Sequence, residues 1–197
     1  RHFWLTAIMA ARFLASAFCA GPAIMLLLLF VVEKVADFKL EKDAVKMLAR
    51  IITYAMIFNV FFFGLELFTA FYSNIPGHKH SIVYLFAGVH GHHELVPWMW
   101  TFVAFAVISL AMLIPPKLRD NQKLLPWALI ILVIATWIDK GLGMISGGFV
   151  PNPMHHVNEY APSIPEIMIT LGVYAIGALI LTILYKMGIS VKEEVGA

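Results

Sequence analysis

The chain has 197 residues, of which 61% are hydrophobic and 13% are charged, and its mean hydropathy is +0.84. Soluble domains carry about 25% charged residues, so this composition excludes an ordinary soluble domain and indicates a membrane protein. The formal net charge is +2 and the basic residues are scattered through short polar segments, a distribution that excludes a nucleic-acid-binding surface.

Five apolar segments follow one another along the chain, at about 3–32, 48–73, 96–114, 124–146 and 165–187. Each is long enough to cross a membrane, which takes about 20 residues. Backbone polar groups in lipid must be paired within the protein, and five spans therefore predict helices rather than a barrel. We expect an all-α, polytopic membrane helix bundle that forms a single domain over residues 1–197.

The first segment contains a charge, a cysteine and a proline. Arg12 lies inside the span, where a charged side chain costs roughly 2.5–3.5 kcal/mol to insert, so it marks a candidate functional site. Cys19 is the only cysteine, which excludes a disulfide or an iron–sulfur site built from this chain alone. Gly21 and Pro22 predict a kink.

The chain starts at Arg1 and its first apolar stretch is too long for a signal peptide, so we interpret the start as an internal cut or a processing product.

Further ionisable residues lie inside the second and fourth segments, at Glu66, Asp139 and Lys140. With a rise of 1.5 Å per residue, they and Arg12 lie roughly 10–14 Å below the same membrane surface and can meet in one polar layer. Two interpretations stay open: ion pairs that only hold the bundle together, and a proton-conducting or quinone-binding site. For Lys140 a third is that its long stem reaches the interface. Other polar residues on the predicted Glu66 face are Asn59, Thr69 and Ser73.

The polar segment 74–95 contains the run His90-Gly91-His92-His93-Glu94. Imidazole and carboxylate groups bind zinc, but the run lacks the helical i, i+4 histidine pair of the usual metalloprotease motif, so we expect no metal. Histidine changes charge near neutral pH, and the run is therefore interpreted as titratable groups at the aqueous mouth of a proton path. A solvated interfacial loop is the alternative for His78, His80, His155 and His156.

No histidine lies deep in a predicted span, so the sequence offers no pair of axial ligands for haem b. We expect no cofactor to be bound by this chain.

Before the fifth segment, Ser163-Ile164-Pro165-Glu166 has the pattern of a capping box, with Ser163 at the N-cap and the Glu166 carboxylate returning to its backbone N–H. This pattern predicts a structural role for both residues.

Lys and Arg are unevenly divided between the two sides of the membrane. One side has Arg1 and Lys79 outside the spans. The other has Lys34, Lys39, Lys42, Lys46, Arg50, Lys117, Arg119, Lys123, Lys186 and Lys192. Because the more basic side is cytoplasmic, we expect a multi-pass protein of the cell membrane with its N-terminus outside and its C-terminus in the cytoplasm.

Two stretches resemble the NrfD-like, or polysulfide-reductase-like, membrane subunits. They are YLFAGVHGHHELVPWMW, within His78–Trp100, and WIDKGLGMISGGFVPNPMHHVNEYAPSIPEIMIT, over Trp137–Thr170. The likeness is greatest to the branch found in menaquinone reductase and in DsrP-type complexes of sulfur metabolism. Relatives commonly have a glutamate at the position of Asp139. The chain resembles the second half, spans six to ten, of a ten-helix subunit.

The resemblance implies a non-autonomous membrane subunit of a respiratory electron-transfer complex. Such a subunit couples menaquinone and menaquinol chemistry to a ferredoxin-like iron–sulfur subunit, with cytochrome subunits carrying haem and with the first helix bundle as a further partner. It also implies a role in proton translocation and in anaerobic respiration. Two alternatives remain: a membrane anchor and docking module with structural buried charges, and half of a secondary transporter, in which broken helices form the site.

Overall fold

The computed structural model of the chain describes residues 2–35, 40–89, 91–150, 156–157 and 162–195. The chain divides into two compact units, Arg1–Glu159 and Tyr160–Ala197. The helices of the first unit are α1 (Ile8–Val35), α2 (Lys42–Ser73), α3 (Pro76–Ala87), α4 (Val96–Leu113), α5 (Pro116–Arg119) and α6 (Leu125–Trp137). In the second unit, α7 covers Ile164–Val195. That the whole chain forms one domain stays a prediction.

Five helices are long and apolar enough to cross a membrane, which confirms the prediction of an all-α polytopic protein. They cover Ile8–Val35, Lys42–Ser73, Val96–Leu113, Leu125–Phe149 and Ile164–Ser190. No β-strand occurs in the described part of the chain. The predicted ends differ from these by up to about six residues, because apolar runs locate a span more sharply than they locate the ends of its helix.

Helices α1 and α2 form an antiparallel hairpin with a tight interface. Near the loop, the backbone N–H of Leu40 donates to Glu33 Oε1 at 3.3 Å. Farther from the loop, Cys19 Sγ lies 3.6 Å from Met56 Sδ. Cys19 and Ala49 are fully buried, and small side chains of this kind let helix backbones approach closely in lipid.

Helix α1 continues from Ile8 to Val35 through Pro22. A proline inside a helix removes one backbone hydrogen bond, yet bundles tolerate it where neighbouring groups re-pair the backbone. Gly21-Pro22 therefore does not interrupt α1. The broken helix on which the transporter alternative depends is not found at this position.

Helix α3 lies in the segment that the sequence analysis treated as a polar connection. Asn74 ends α2 in the left-handed region, with a φ of 49°, and Pro76 begins α3. The buried positions of α3 include His78, Ser81 and Leu85. Residues at a spacing of three and four lie on one face of a helix. The search for long apolar segments did not predict α3, because its buried face is only partly apolar. His78 is buried rather than solvated.

The fourth spanning helix changes its winding part-way along. After α6 the chain continues as a π-helical segment, Ile138–Ser146, and then as a 3₁₀ turn, Gly147–Phe149. Other parts of the chain approach this segment closely. Trp4 Nε1 donates a hydrogen bond to the carbonyl of Met144 at 2.9 Å. Met99 packs against Gly143 so closely that a Cβ on this glycine would lie 3.0 Å from Met99 Sδ. We refer to Ile138–Ser146 as the π segment.

In the second unit, α7 begins at Ile164 directly after Ser163. The Glu166 carboxylate accepts hydrogen bonds from the Ser163 backbone N–H at 2.6 Å and from Ser163 Oγ at 2.7 Å. The first of these is the bond that a capping box makes from its third helical position. Within the helix, the Thr170 and Thr182 hydroxyls donate to carbonyls four residues earlier. These bonds satisfy polar groups in a helix apolar enough to span a membrane.

Candidate functional site: a buried charge cluster

Four ionisable side chains from three spanning helices meet inside the first unit. Arg12 of α1 forms ion pairs with Glu66 of α2, through Nη1 and Oε2, and with Asp139 of the π segment, through Nη2 and Oδ1. The second Asp139 oxygen, Oδ2, accepts a hydrogen bond from Lys140 Nζ at 2.7 Å. We call these four residues the charge cluster. The predicted polar layer is thus a set of direct contacts.

The charge cluster is almost completely removed from the surface. The side chains of Arg12, Glu66 and Asp139 are 4%, 3% and 1% exposed, and that of Lys140 is 15% exposed. Burying a single ion costs several kcal/mol, and a partner of opposite charge offsets this cost only with good geometry. With two cations and two carboxylates, the charge cluster is formally neutral when all four are ionised. That balance makes the burial physically reasonable.

Aromatic rings lie beside both cations. The Arg12 guanidinium carbon is 5.0 Å from the centre of the Phe63 ring, and Lys140 Nζ is 5.7 Å from the centre of the Phe13 ring. Both distances fall within the range in which a ring face attracts a cation. Sequence reasoning missed these two phenylalanines. Their positions three residues before Glu66 and one after Arg12 are the only signal that was present.

The π segment gives the charge cluster two residues that are adjacent in sequence. In an α-helix, neighbours i and i+1 do not face each other across one surface. Here Asp139 and Lys140 are the second and third residues of the π segment, and their side chains are hydrogen bonded to each other. Single-turn π bulges inside α-helices are frequent at functional sites.

Three polar atoms of the charge cluster are buried without a hydrogen bond among the described residues: Glu66 Oε1, Glu66 Oε2 and Arg12 Nε. Of these, Glu66 Oε2 forms the ion pair with Arg12 Nη1. Leaving such a group unsatisfied costs about 1–3 kcal/mol, so a water hydrogen bonded to Glu66 Oε1 or to Arg12 Nε would be stabilising. Glu66 Oε1 can also accept a proton, whereas Arg12 Nε already carries one and can only donate.

A small cavity borders the charge cluster, and its wall includes Arg12, Glu66 and Asp139. The other residues of the wall are apolar and include Phe3 and Met99. The room available to the centre of a water molecule is about 10 Å³, close to the volume that one water requires. The cavity therefore suits a single bound water beside two carboxylates.

Asn59 is a further buried polar residue of α2, two turns from Glu66. It is 1% exposed, and neither of its amide atoms has a hydrogen-bond partner among the residues that are described. Thr69 and Ser73, predicted to share the Glu66 face, are exposed instead, and the Thr69 hydroxyl donates to the Leu65 carbonyl at 2.8 Å. Of the polar residues on the predicted Glu66 face, Asn59 is thus buried like Glu66, whereas Thr69 and Ser73 are not.

The described part of the histidine run, residues 91–94, lies between α3 and α4, and His90 itself falls outside the described residues. Val89 and His92 exchange backbone hydrogen bonds of 3.2 and 3.0 Å. Gly88 has a φ of 78°, and a Cβ there would lie 2.0 Å from His93 Nδ1, so the turn requires glycine at this position. His93 and Glu94 are exposed and His92 is half-buried.

None of the described histidines belongs to the wall of the small cavity. Leu85 and Phe86, at the end of α3, do belong to it. The histidine turn follows α3 directly. Its predicted role at the mouth of a proton path stays a prediction.

No group of three or more histidine, cysteine, aspartate or glutamate side chains arranged to hold a metal ion occurs among the residues described. Within the charge cluster, Arg12 and Lys140 already neutralise the two carboxylates, which leaves these carboxylates poorly suited to a metal. The charge cluster instead has one carboxylate oxygen, Glu66 Oε1, that is unpaired among the described residues and can accept a proton. Comparison with protein-family models, curated proteins and solved structures found no match for this chain.

Proposed function

We propose that this chain is a membrane subunit of a respiratory electron-transfer complex and that its charge cluster carries protons linked to menaquinone and menaquinol chemistry. The observation that carries the proposal is the buried, formally neutral charge cluster, which lines a cavity for one water and in which Glu66 Oε1 is unpaired among the described residues. Ionisable groups inside spans commonly mark proton relays. The two sequence stretches that resemble NrfD-like subunits supply the redox context.

Glu66 and Asp139 have different roles in this proposal because their contacts differ. Both Asp139 oxygens are bound by cations, Arg12 and Lys140. Glu66 uses Oε2 for Arg12, while Oε1 is unpaired among the described residues. A proton arriving through the cavity water would bind at Glu66 Oε1. Arg12 would then keep its ion pair with Asp139, so the charge cluster tolerates the change in charge without separating.

Quinone itself is assigned to a site away from the charge cluster. Pockets that bind small organic molecules have volumes of roughly 300–1,000 Å³, whereas the cavity at the charge cluster holds about one water. An iron–sulfur partner and cytochrome subunits would carry the electrons, and the first bundle of such a subunit would hold the quinone ring. This chain would exchange protons with that site.

The test is quinol-analogue turnover by the intact complex purified through a tag on this chain. Glu66→Gln should lower turnover at least tenfold while the partner subunits remain bound, because general acid–base groups contribute roughly 10²–10⁴-fold. Asp139→Asn should also lower turnover, because it removes the carboxylate that holds Arg12 beside Glu66. Glu41→Gln is the matched control, since Glu41 is exposed and makes no side-chain cap bond. Native turnover in both cluster variants would overturn the proposal.

A second candidate is an anchor and docking module whose charges are structural. Arg12 favours it by pairing with carboxylates on two other helices, which joins α1, α2 and the π segment. On this account the same substitutions release the partner subunits or unfold the chain, since removing one member of a buried pair costs about 3–5 kcal/mol. The ratio of partner subunits to this chain after purification separates the two candidates.

A further inference from the structure

A pocket of about 470 Å³ lies where α2 and α6 begin, away from the charge cluster. Its wall is made by the first turns of α2 and by the connection that leads from α5 into α6. Four cations, Lys42, Lys46, Arg119 and Lys123, line the pocket, together with one carboxylate, Asp120. The excess of positive charge favours an anionic ligand.

Arg119 is the most buried of these cations, with a side chain that is 11% exposed. Its Nε lies 3.6 Å from Asp120 Oδ1, an ion-pair distance, and makes no hydrogen bond to any residue that the structure describes. Asp120 is 40% exposed and shares its charge with solvent. Arg119 therefore has donors left for a ligand, and its planar group suits the oxygens of a phosphate.

Two long helices point their N-terminal ends at the same pocket. Lys42 is the first residue of α2, and Leu125 is the first residue of α6; both line the pocket. Neither helix has a side-chain hydrogen bond at its N-cap, which is Glu41 in α2 and Leu124 in α6. The positive end of each helix macrodipole adds to the attraction for an anion.

We propose that this pocket binds a phosphate group, and specifically that of an anionic phospholipid headgroup. The pocket lies at the end of two helices that can span a membrane, and apolar Val45 and Leu125 are part of its wall. Trp127, two residues after Leu125, is 63% exposed. Basic pockets between spanning helices are known to hold anionic headgroups. Free inorganic phosphate offers the same chemistry without the acyl chains.

Native mass spectrometry of the purified protein in detergent tests this site. The probes are phosphatidylglycerol and phosphatidylcholine with identical chains, titrated separately, and inorganic phosphate added as a competitor. Lys46→Gln and Lys123→Gln remove one cation each and are exposed enough to leave folding intact, whereas Arg119→Gln removes the buried cation. Lys117→Gln is the control, because Lys117 lies in α5 two residues before Arg119, is exposed and does not line the pocket.

Phosphatidylglycerol should bind more tightly than phosphatidylcholine. Each pocket variant should lower the phosphatidylglycerol affinity about fivefold, and Lys117→Gln should leave it unchanged. Displacement by inorganic phosphate would extend the site to free phosphate, and no displacement would restrict it to the lipid. Equal affinity for the two lipids, or pocket variants that bind like Lys117→Gln, would overturn the proposal.

Discussion

Arg12 determines whether the charge cluster can be buried at all. Among the described residues it is the only one that forms ion pairs with both Glu66 and Asp139, and Phe63 lies beside its guanidinium group. Lys140 contacts Asp139 alone among the carboxylates of the charge cluster. Without Arg12, Glu66 would be a buried carboxylate with no counter-charge, which is the costliest arrangement for an ionisable group in lipid.

Arg12→Gln is therefore expected to destabilise the chain by about 3–5 kcal/mol. The double variant Arg12→Gln, Glu66→Gln should recover part of this loss, because it removes the stranded carboxylate together with its partner. The measurement is the thermal unfolding temperature in detergent. Arg50→Gln is the control, since Arg50 is an exposed residue of α2. A value for Arg12→Gln equal to that of Arg50→Gln would contradict the account.

The sequence predicted that the four ionisable residues can meet in one layer, with ion pairs as one interpretation, but not that Arg12 pairs with both carboxylates. Depth follows from residue counts and the helical rise of 1.5 Å, whereas pairing depends on how each helix is rotated. The rotation of α2 about its own axis leaves Thr69 and Ser73 exposed and buries Asn59. Spacing within a single helix cannot determine which of its faces packs against the neighbouring helices.

At the scale of elements, the π segment is the feature that the sequence did not predict. Hydropathy detects an apolar run regardless of whether its hydrogen bonds reach four or five residues back. The available signal was the glycine content of 141–148, because glycine allows backbone and side chains to approach closely. Gly147 illustrates this, since a Cβ there would lie 2.6 Å from Leu85 Cδ2.

Gly148→Ala tests whether the close packing after the π segment is required. A Cβ at Gly148 would lie 2.2 Å from Trp4 Nε1, while one at Gly141 would make an ordinary contact of 3.8 Å with Trp137. Gly148→Ala should lose about 1–3 kcal/mol through overpacking, and Gly141→Ala should change stability little. Denaturation in mixed detergent micelles measures both. Equal stability of the two variants would show that the contact with Trp4 yields freely.

For the whole molecule, the five spans were predictable because each is a long apolar run, and α3 was not because its buried face is mixed. His78 and Ser81 lie on that face, and polar residues there lower the hydropathy of a helix without preventing its burial. Orientation rests on the uneven distribution of Lys and Arg. It stays a prediction.

Orientation is testable with a membrane-impermeant maleimide on intact cells. Cys19 is fully buried and should not react. Cysteine placed by His93→Cys, in the turn before α4, should be labelled from outside. Cysteine placed by Gln122→Cys, before α6, should be labelled only after the membrane is made permeable, and both positions are exposed. The reverse pattern would invert the topology.

The most direct test of the central claim is proton release during quinol oxidation by the intact complex in liposomes, comparing the native protein with Glu66→Gln. The account predicts that proton release falls at least tenfold in this variant, while its partner subunits stay bound and Glu41→Gln behaves as native. Native proton release from an assembled Glu66→Gln complex would contradict the account and leave the charge cluster with a structural role only.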